Sequence, residues 1–398
     1  MSARPAGARR TVRVALGCVV VAHGLVHLLG AVAAWSPASV PALAVPRATG
    51  VAWLAVAAVT VVAGVGLAAG RARWWRAGAV AAAGSVALVA TAWPDAAAGL
   101  VPDAVLLVAV LHGWWCGHAA SPRGRYRTAV AALTGAPADS AAHPSAPPPS
   151  SAPTTPRTTR ERTTTPVTDA DVDTLPPLVA RWLRRTGAVG PPRVGVVRTT
   201  VAGRLRGGPD EPWMPFTGEQ TNTFDADPVR LFLLDATRGG LPVDVLHVLH
   251  DGHATMAAHV LGVVPVMRGS GPDLDRSEVV TVLDDLCLLA PAALVDAPVT
   301  WQDVDAHRVR ATYRTRTQQV DAVLTFDDAG DLREVASDDR GRASADGRTS
   351  TPTRWSTPVD GVAVDTCGRR VVTGRALWHG PGAPFTYAEM TFTVERTT

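Results

Sequence analysis

The sequence predicts a two-part membrane protein: an α-helical bundle of four transmembrane spans, then a mainly antiparallel β domain, a curved sheet or half-barrel with one packed helix, in the cytoplasm. Three observations carry this. Residues 1–120 are mostly Ala, Val, Leu and Gly, with only Asp95 and Asp103 acidic, whereas residues 174–398 hold nearly all the remaining Asp and Glu. Two compositions imply two solvents. Between them, residues 136–173 turn to Ala, Pro, Ser and Thr, and beyond them apolar and polar residues alternate with the period of a strand.

The first span is the apolar run 14–34, interrupted only by His23 and His27, and long enough to cross a hydrocarbon core of about 30 Å. Arg9, Arg10 and Arg13 precede it as in a signal peptide. The run exceeds the roughly 7–15 residues of a signal core and three more such runs follow, so it reads as retained. Residues 51–69 and 77–93 give the second and third spans, with Trp53, Trp74, Trp75 and Trp93 near their ends, where indoles favour the interface. Residues 100–117 give the fourth, opened by Pro102 and Asp103 and closed by Trp114 and Trp115. Gly64, Gly66, Gly78, Ala83 and Gly84 permit close helix contact.

Arginines set the direction. Arg4, Arg9, Arg10, Arg13, Arg71, Arg73, Arg76, Arg123, Arg125 and Arg127 fall on one side, against Arg47 on the other. The positive-inside rule then makes this a multi-pass protein of the cell membrane, with the N-terminus and the β domain cytoplasmic. Cys18, Cys116, Cys287 and Cys367 show no CxxC spacing, which excludes a disulfide or zinc framework and fits a reducing compartment.

Two readings of the membrane histidines stay open. His23 and His27 share a helix face and His112 lies at a comparable depth in the fourth span. They can bind haem iron or another metal, or relay protons. They can instead hydrogen-bond between helices, to Asp103 or Thr60, and fix the packing. Packing is preferred, because neither a CxxCH nor a second metal-type cluster supports a cofactor.

The expected division is a transmembrane domain 1–127, a disordered linker 128–173 including Pro147, Pro148 and Pro149, and a β domain 174–398. Leu178, Val179, Trp182 and Leu183 share one face of a lead-in helix that follows Pro176 and Pro177 and stops at Gly187. Strands follow at 194–206, 216–224, 230–235, 243–250 and 254–260, with Asp251-Gly252 as a two-residue hairpin turn. A second set lies at 308–314, 320–326, 332–337, 353–357, 371–379 and 385–394, with a turn at 327–331. These make a meander of roughly ten strands. Between the sets, a helix 276–289 opens on Asp275 as N-cap with Glu278 in a capping box, and closes before Pro291. Its stripe of Val279, Leu283 and Leu286 is predicted to pack into the concave face of the sheet.

Several segments carry a resemblance: LPPLVARWLRRTG at 175–187, WMPFTGEQ at 213–220, DGHATM at 251–256, GPDLDRSEVVTVLDDL at 271–286, FDDAGDLREV at 326–335 and RALWHGPGAPFTY at 375–387. Together they resemble a family of uncharacterised bacterial proteins. Its members often carry an N-terminal membrane segment with His-Gly-Leu-x-His, as at His23 to His27, and the resemblance implies no activity. The order of elements is also similar to the lipoprotein-carrier half-barrel, which encloses an apolar cavity for acyl chains. That likeness is one of architecture, and it implies neither a transport role nor an extracytoplasmic location.

Function classes narrow by exclusion. A net charge of +3 over 398 residues gives no electrostatic case for nucleic acid. All the Arg and Lys content is Arg, which removes P-loop, kinase-strand and Schiff-base lysines. His247, His250, His253 and His259 are split between faces by the hairpin and read as turn and surface residues. Asp275 reads as a cap, and Asp273, Asp284 and Asp285 as the solvated side of the helix. Ser270 lacks a GxSxG elbow, so no nucleophile, no catalytic residue and no metal ligand in the β domain is assigned. Trp301, Trp355, Trp378, Phe385 and Tyr387 read as core or pocket aromatics.

The leading expectation is a non-enzymatic module that binds a lipid or other apolar molecule between sheet and helix, against Val279, Leu283, Leu286 and Trp213, beside the bilayer that anchors it. One alternative is a membrane redox, metal or haem protein that uses His23, His27 and His112. Another is a structural or regulatory scaffold without a small ligand.

Overall fold

The computed structural model describes residues 7–41, 43, 45–93, 95–135, 165–344 and 349–395. Contacts divide the chain into two compact units, Met1–Gly124 and Arg125–Thr398.

The first unit is a helical bundle of α1 (Gly7–Trp35), α2 (Gly50–Ala68), α3 (Trp74–Thr91) and α4 (Leu100–Gly117), in which consecutive helices pack together and α1 also meets α4. Glycine sets the α1–α2 contact: a Cβ on Gly17 would meet the Gly64 carbonyl oxygen at 2.8 Å, and one on Gly64 would meet the Val21 nitrogen at 2.8 Å. Bare backbones therefore touch. The unit is apolar outside and keeps a few polar side chains inside, among buried Ala, Val, Leu and Trp. Leu25, Val26, Val62, Val80, Val101 and Val108 are exposed, whereas His23, His27, Thr60, Ser85 and Asp103 are buried. That arrangement suits a bundle surrounded by hydrocarbon.

Among the described residues, three helical stretches are long and apolar enough to cross a membrane: Arg10–Trp35, Arg47–Ala68 and Ala97–Thr134. The remaining expected span does form a helix, α3, but it opens on Trp74, Trp75 and Arg76 and falls outside that set.

The second unit takes in helix α5 (Pro122–Thr134) from Arg125 onward, α6 (Asp169–Val172), α7 (Pro177–Arg185) and a large antiparallel sheet. Strands β1 (Val197–Leu205), β2 (Met214–Asn222), β3 (Arg230–Arg238), β4 (Leu241–His250), β5 (His253–Val260) and β6 (Val264–Ser270) meander outward from the centre. Helix α8 (Pro272–Leu289) then carries the chain to the opposite edge, where β7 (Val299–Asp303) begins the return through β8 (Arg308–Arg314), β9 (Gln319–Phe326) and β10 (Leu332–Ser337). A small ribbon, β11 (Gly341–Ala343) with β12 (Ser350–Pro352), precedes β13 (Arg354–Val364), β14 (Arg370–His379) and β15 (Phe385–Glu395), and β15 pairs with β1. The sheet has 13 strands and is open, with β6 and β7 as edges.

The sheet must curve. Helix α8 touches both β5 and β9, which lie nine strand positions apart in the order. On a flat sheet those strands would be about 43 Å apart at ~4.8 Å per strand, whereas 18 residues of helix span about 27 Å. The arms also meet at one end, where the Arg316 N–H donates to the Ala226 carbonyl at 2.7 Å and the Tyr313 hydroxyl donates to the Asp225 carbonyl at 2.7 Å.

Inside the curve, Val279, Leu283 and Leu286 pack with Val179, Trp182 and Leu183 of α7 and with Val309, Tyr313, Leu324 and Phe326 of the sheet. On the opposite face of β3 and β4, Leu231, Leu233 and Leu246 are covered by Tyr126 and Val130 of α5. Strand β3 is thus buried on both faces and reads as a continuous apolar run.

The hairpin turn forms as expected, with Asp251 and Gly252 at φ 51° and 77° and His250 paired with His253. Edge strands β6 and β7 go beyond the expected set: β6 carries Pro265 and Gly269 and is almost wholly exposed, so it lacks the alternation of a half-buried strand. Helix α8 starts earlier than expected, behind Gly271 at φ 111°, and Asp275 is not its cap. Instead Asp275 Oδ1 accepts the Ala254 N–H at 2.6 Å. The expected linker narrows too. Residues 128–134 belong to α5, Val167 and Val172 enter the core, and 136–164 lie outside the described residues.

Candidate functional site

Strand alternation aims Arg230, Phe232 and Leu234 at the concave side of the sheet, opposite Glu278, Thr281, Asp284, Asp285, Leu288 and Leu289 of α8. Between them lies a cavity of about 180 Å³. Most of its wall is apolar, from Phe216, Phe232, Leu234, Val372, Met390 and Phe392, with Trp355 and Tyr387 also lining it. Its polar end is formed by Arg230, His247, Glu278, Asp284, Asp285 and Arg340.

At that end a network centres on Arg230, with two separate pairs beside it. Arg230 Nη1 donates to Glu278 Oε2 at 2.8 Å and its Nε donates to Asp285 Oδ2 at 2.8 Å. The same Asp285 oxygen accepts from Gln220 Nε2 at 2.7 Å and Asn222 Nδ2 at 3.0 Å. His247 Nδ1 lies 3.3 Å from Glu278 Oε1. The Thr357 hydroxyl donates to Asp284 Oδ1 and Arg340 donates to the Thr281 hydroxyl, while the Arg340 guanidinium lies 4.3 Å above the Trp355 ring.

Burial acts on these carboxyls, and their partners decide the outcome. Glu278 is disfavoured as an anion by burial, but Arg230 and His247 bring it below the usual carboxylate range. Asp285 is raised by burial and pulled back by Arg230 and Asn222. Asp284 forms no ion pair among the described residues: burial, reinforced by the charge of Asp285, pushes it up to about 8, against the Thr357 hydroxyl and the weaker pull of Arg340 and Arg230. At neutral pH it is a protonated acid at an apolar cavity wall, able to donate a hydrogen bond.

The expected ligand-facing residues sit elsewhere. Val279, Leu283 and Leu286 occupy the far side of α8 in the core, and Trp213 has the guanidinium groups of Arg204 and Arg206 over its ring, at 4.5 and 4.4 Å. None of the four lines the cavity. Of the side expected to meet water, Asp273 is exposed, whereas Asp284 and Asp285 are each about 5% exposed and face the cavity instead. A helix inside a rolled sheet has no wet side: residues 277–287 of α8 are all buried. The readable signal was the second stripe, Glu278, Thr281, Asp285 and Leu288, beside the apolar one. Of the six β-domain histidines, which also include His307 and His379, His247 alone lines the cavity.

In the first unit, His23 and His27 meet Asp103, the three offering ligand atoms within 4.8 Å of one another. His23 Nε2 lies 2.8 Å from Asp103 Oδ1, and the Ser85 hydroxyl donates to Asp103 Oδ2 at 2.8 Å. His112 is not among them. It follows Asp103 by nine residues, about 13 Å along the helix, and its Nε2 lies 3.5 Å from Cys116 Sγ.

A search of curated proteins finds no match. A family model described as "Family of unknown function (DUF6544)" matches residues 165–390, which takes in the lead-in helix, the cavity and nearly all of the sheet. With more than half its length matched, the chain belongs to this family.

Proposed function

We propose that the second unit is a binding module for one small amphipathic molecule, held between α8 and a half-barrel-like sheet with its apolar part among Phe216, Phe232, Val372 and Phe392 and its polar group on Asp284. The observation that carries this reading is the cavity itself, apolar over most of its wall and closed at one end by a protonated carboxyl. Size narrows the ligand. A cavity of about 180 Å³ compares with the ~150 Å³ void that accommodates a benzene molecule. A fragment of about six carbon atoms fits, and a longer acyl chain would need α8 to shift.

The helical unit serves as the membrane anchor and brings the module close to a source of such molecules. With α3 taken as a fourth span beside α2 and α4, both ends of the bundle fall on the arginine-rich, cytoplasmic side. A second reading is favoured by Asp284 specifically. A carboxyl that titrates near neutrality beside the Arg230-bound Asp285 is also the arrangement of a general acid acting on the bound molecule.

Organic extraction of the detergent-purified full chain, followed by mass spectrometry, tests the binding role. One amphipathic compound per chain is expected, and Val372→Trp, which fills the cavity, should abolish it. Equal recovery from the wild type and the filled variant would refute the site.

A further inference from the structure

Within the first unit, His23 Nε2 has a partner in Asp103, whereas His27 Nε2 has none among the described residues. His27 is about 3% exposed. The indole nitrogen of Trp53, whose ring centroid lies 5.5 Å from that of His27, is likewise unpartnered. Leaving one buried polar group unsatisfied costs about 1–3 kcal/mol, so packing alone does not account for His27.

The surroundings are built to keep it there. The Trp53 ring occupies the space where Gly30 lacks a side chain, since a Cβ on Gly30 would meet the ring at 2.2 Å. The Ser85 hydroxyl of α3 orients Asp103 by donating to its Oδ2, as donors behind a metal ligand orient its carboxylate. Four helices thus converge on one point.

We infer that His23, His27 and Asp103 form an intramembrane site for a divalent first-row transition metal such as Zn²⁺ or Co²⁺, with the fourth coordination position left to water or to a substrate atom. Two imidazole nitrogens and one carboxylate oxygen are a donor set for such ions. Ligands about 2.1 Å from a tetrahedral centre lie roughly 3.4 Å apart, between the 2.8 Å of His23 to Asp103 and the 4.8 Å that bounds the group. The metal replaces the proton between His23 Nε2 and Asp103 Oδ1, which moves to the far nitrogen of His23 or to solvent. Haem fits less well. Histidines one turn apart on one helix, with ring centroids 4.7 Å apart, approach from the same side and cannot take opposite faces of a macrocycle.

The test uses the full chain in detergent, stripped with a chelator and titrated with Co²⁺. The expected result is one Co²⁺ per chain, with the strong visible absorption of four-coordinate cobalt, displaced by Zn²⁺. His27→Gln and Asp103→Asn should each weaken binding at least about tenfold, and His112→Gln should leave it unchanged. A wild-type protein that shows no four-coordinate cobalt spectrum, or a His27→Gln protein that keeps it, overturns the site. Because the wild-type spectrum decides the first point, the outcome stands even where a variant fails to fold.

Discussion

Each unit buries a polar cluster in an apolar interior, and the two differ in what is left over. In the β unit, Arg230 meets Glu278 and Asp285, leaving Asp284 as a carboxyl without an ion pair among the described residues. In the helical unit, Asp103 is matched by His23 and Ser85, leaving the Nε2 of His27 without a hydrogen-bond partner among the described residues. Paired groups hold structure, and the unmatched group is where a ligand can be recognised. One surplus is an acid at a cavity wall, suited to a polar organic group, and the other is a lone pair, suited to a cation.

The strongest way to break this comparison is to remove the pairing itself. Arg230→Leu strands Glu278 and Asp285 as buried anions and should cost about 3–5 kcal/mol, enough to unfold the β unit or drive both carboxyls to protonate. Chemical denaturation of wild type and variant measures it. A loss below about 1 kcal/mol would mean that water reaches the cluster and that the charges are not sealed in. Replacing Arg230, Glu278 and Asp285 together by apolar residues should recover most of the loss, since the penalty belongs to the unpaired ions rather than to the missing bridge.

Local features of this fold were legible, and collective ones were not. The Asp251-Gly252 turn and the 177–185 helix depend on neighbours in sequence, so residue type and period suffice to find them. Alternation at Val309, Ala311 and Tyr313 locates a buried face for the same reason. Strand β6 escapes notice because an edge strand has little to bury. The cavity escapes for a different reason. Periodicity separates the two faces of α8 but cannot say whether the polar one meets water or Arg230, which is 48 residues before Glu278 in the chain. In the bundle, the i, i+4 spacing of His23 and His27 reveals the pair, but only packing brings Asp103 to it, 80 residues after His23, and leaves His112 out.

A middle-sized effect sharpens the comparison through pH. Asp284 moves from its ordinary value of 3.8 to about 8 on folding. Between those values the unfolded chain has lost this proton and the folded one keeps it, so stability falls as pH rises through the window and levels off above it. The slope has an upper bound of about 1.4 kcal/mol per pH unit. Asp284→Asn keeps the shape and removes the titration, so the difference between variant and wild type should change by roughly 2 kcal/mol between about pH 6 and about pH 8 in favour of the variant. Parallel stability curves over that range would show that Asp284 is already ionised, and the proposed donor to a ligand would be lost.

The smallest effect lies in the membrane unit. Ser85→Ala removes one hydrogen bond to Asp103 while leaving His23 in place. Hydrogen bonds between membrane helices average only about 0.6 kcal/mol, because the separated helices find other partners in the bilayer. Thermal unfolding in detergent should therefore shift little, even though Ser85 is fully buried. A role in orienting the carboxylate predicts something stability cannot report: cobalt affinity falling about tenfold or more, as outer-shell changes do at other metal sites. Large loss of stability with unchanged cobalt affinity would assign Ser85 to packing alone, and would leave Asp103 oriented by His23.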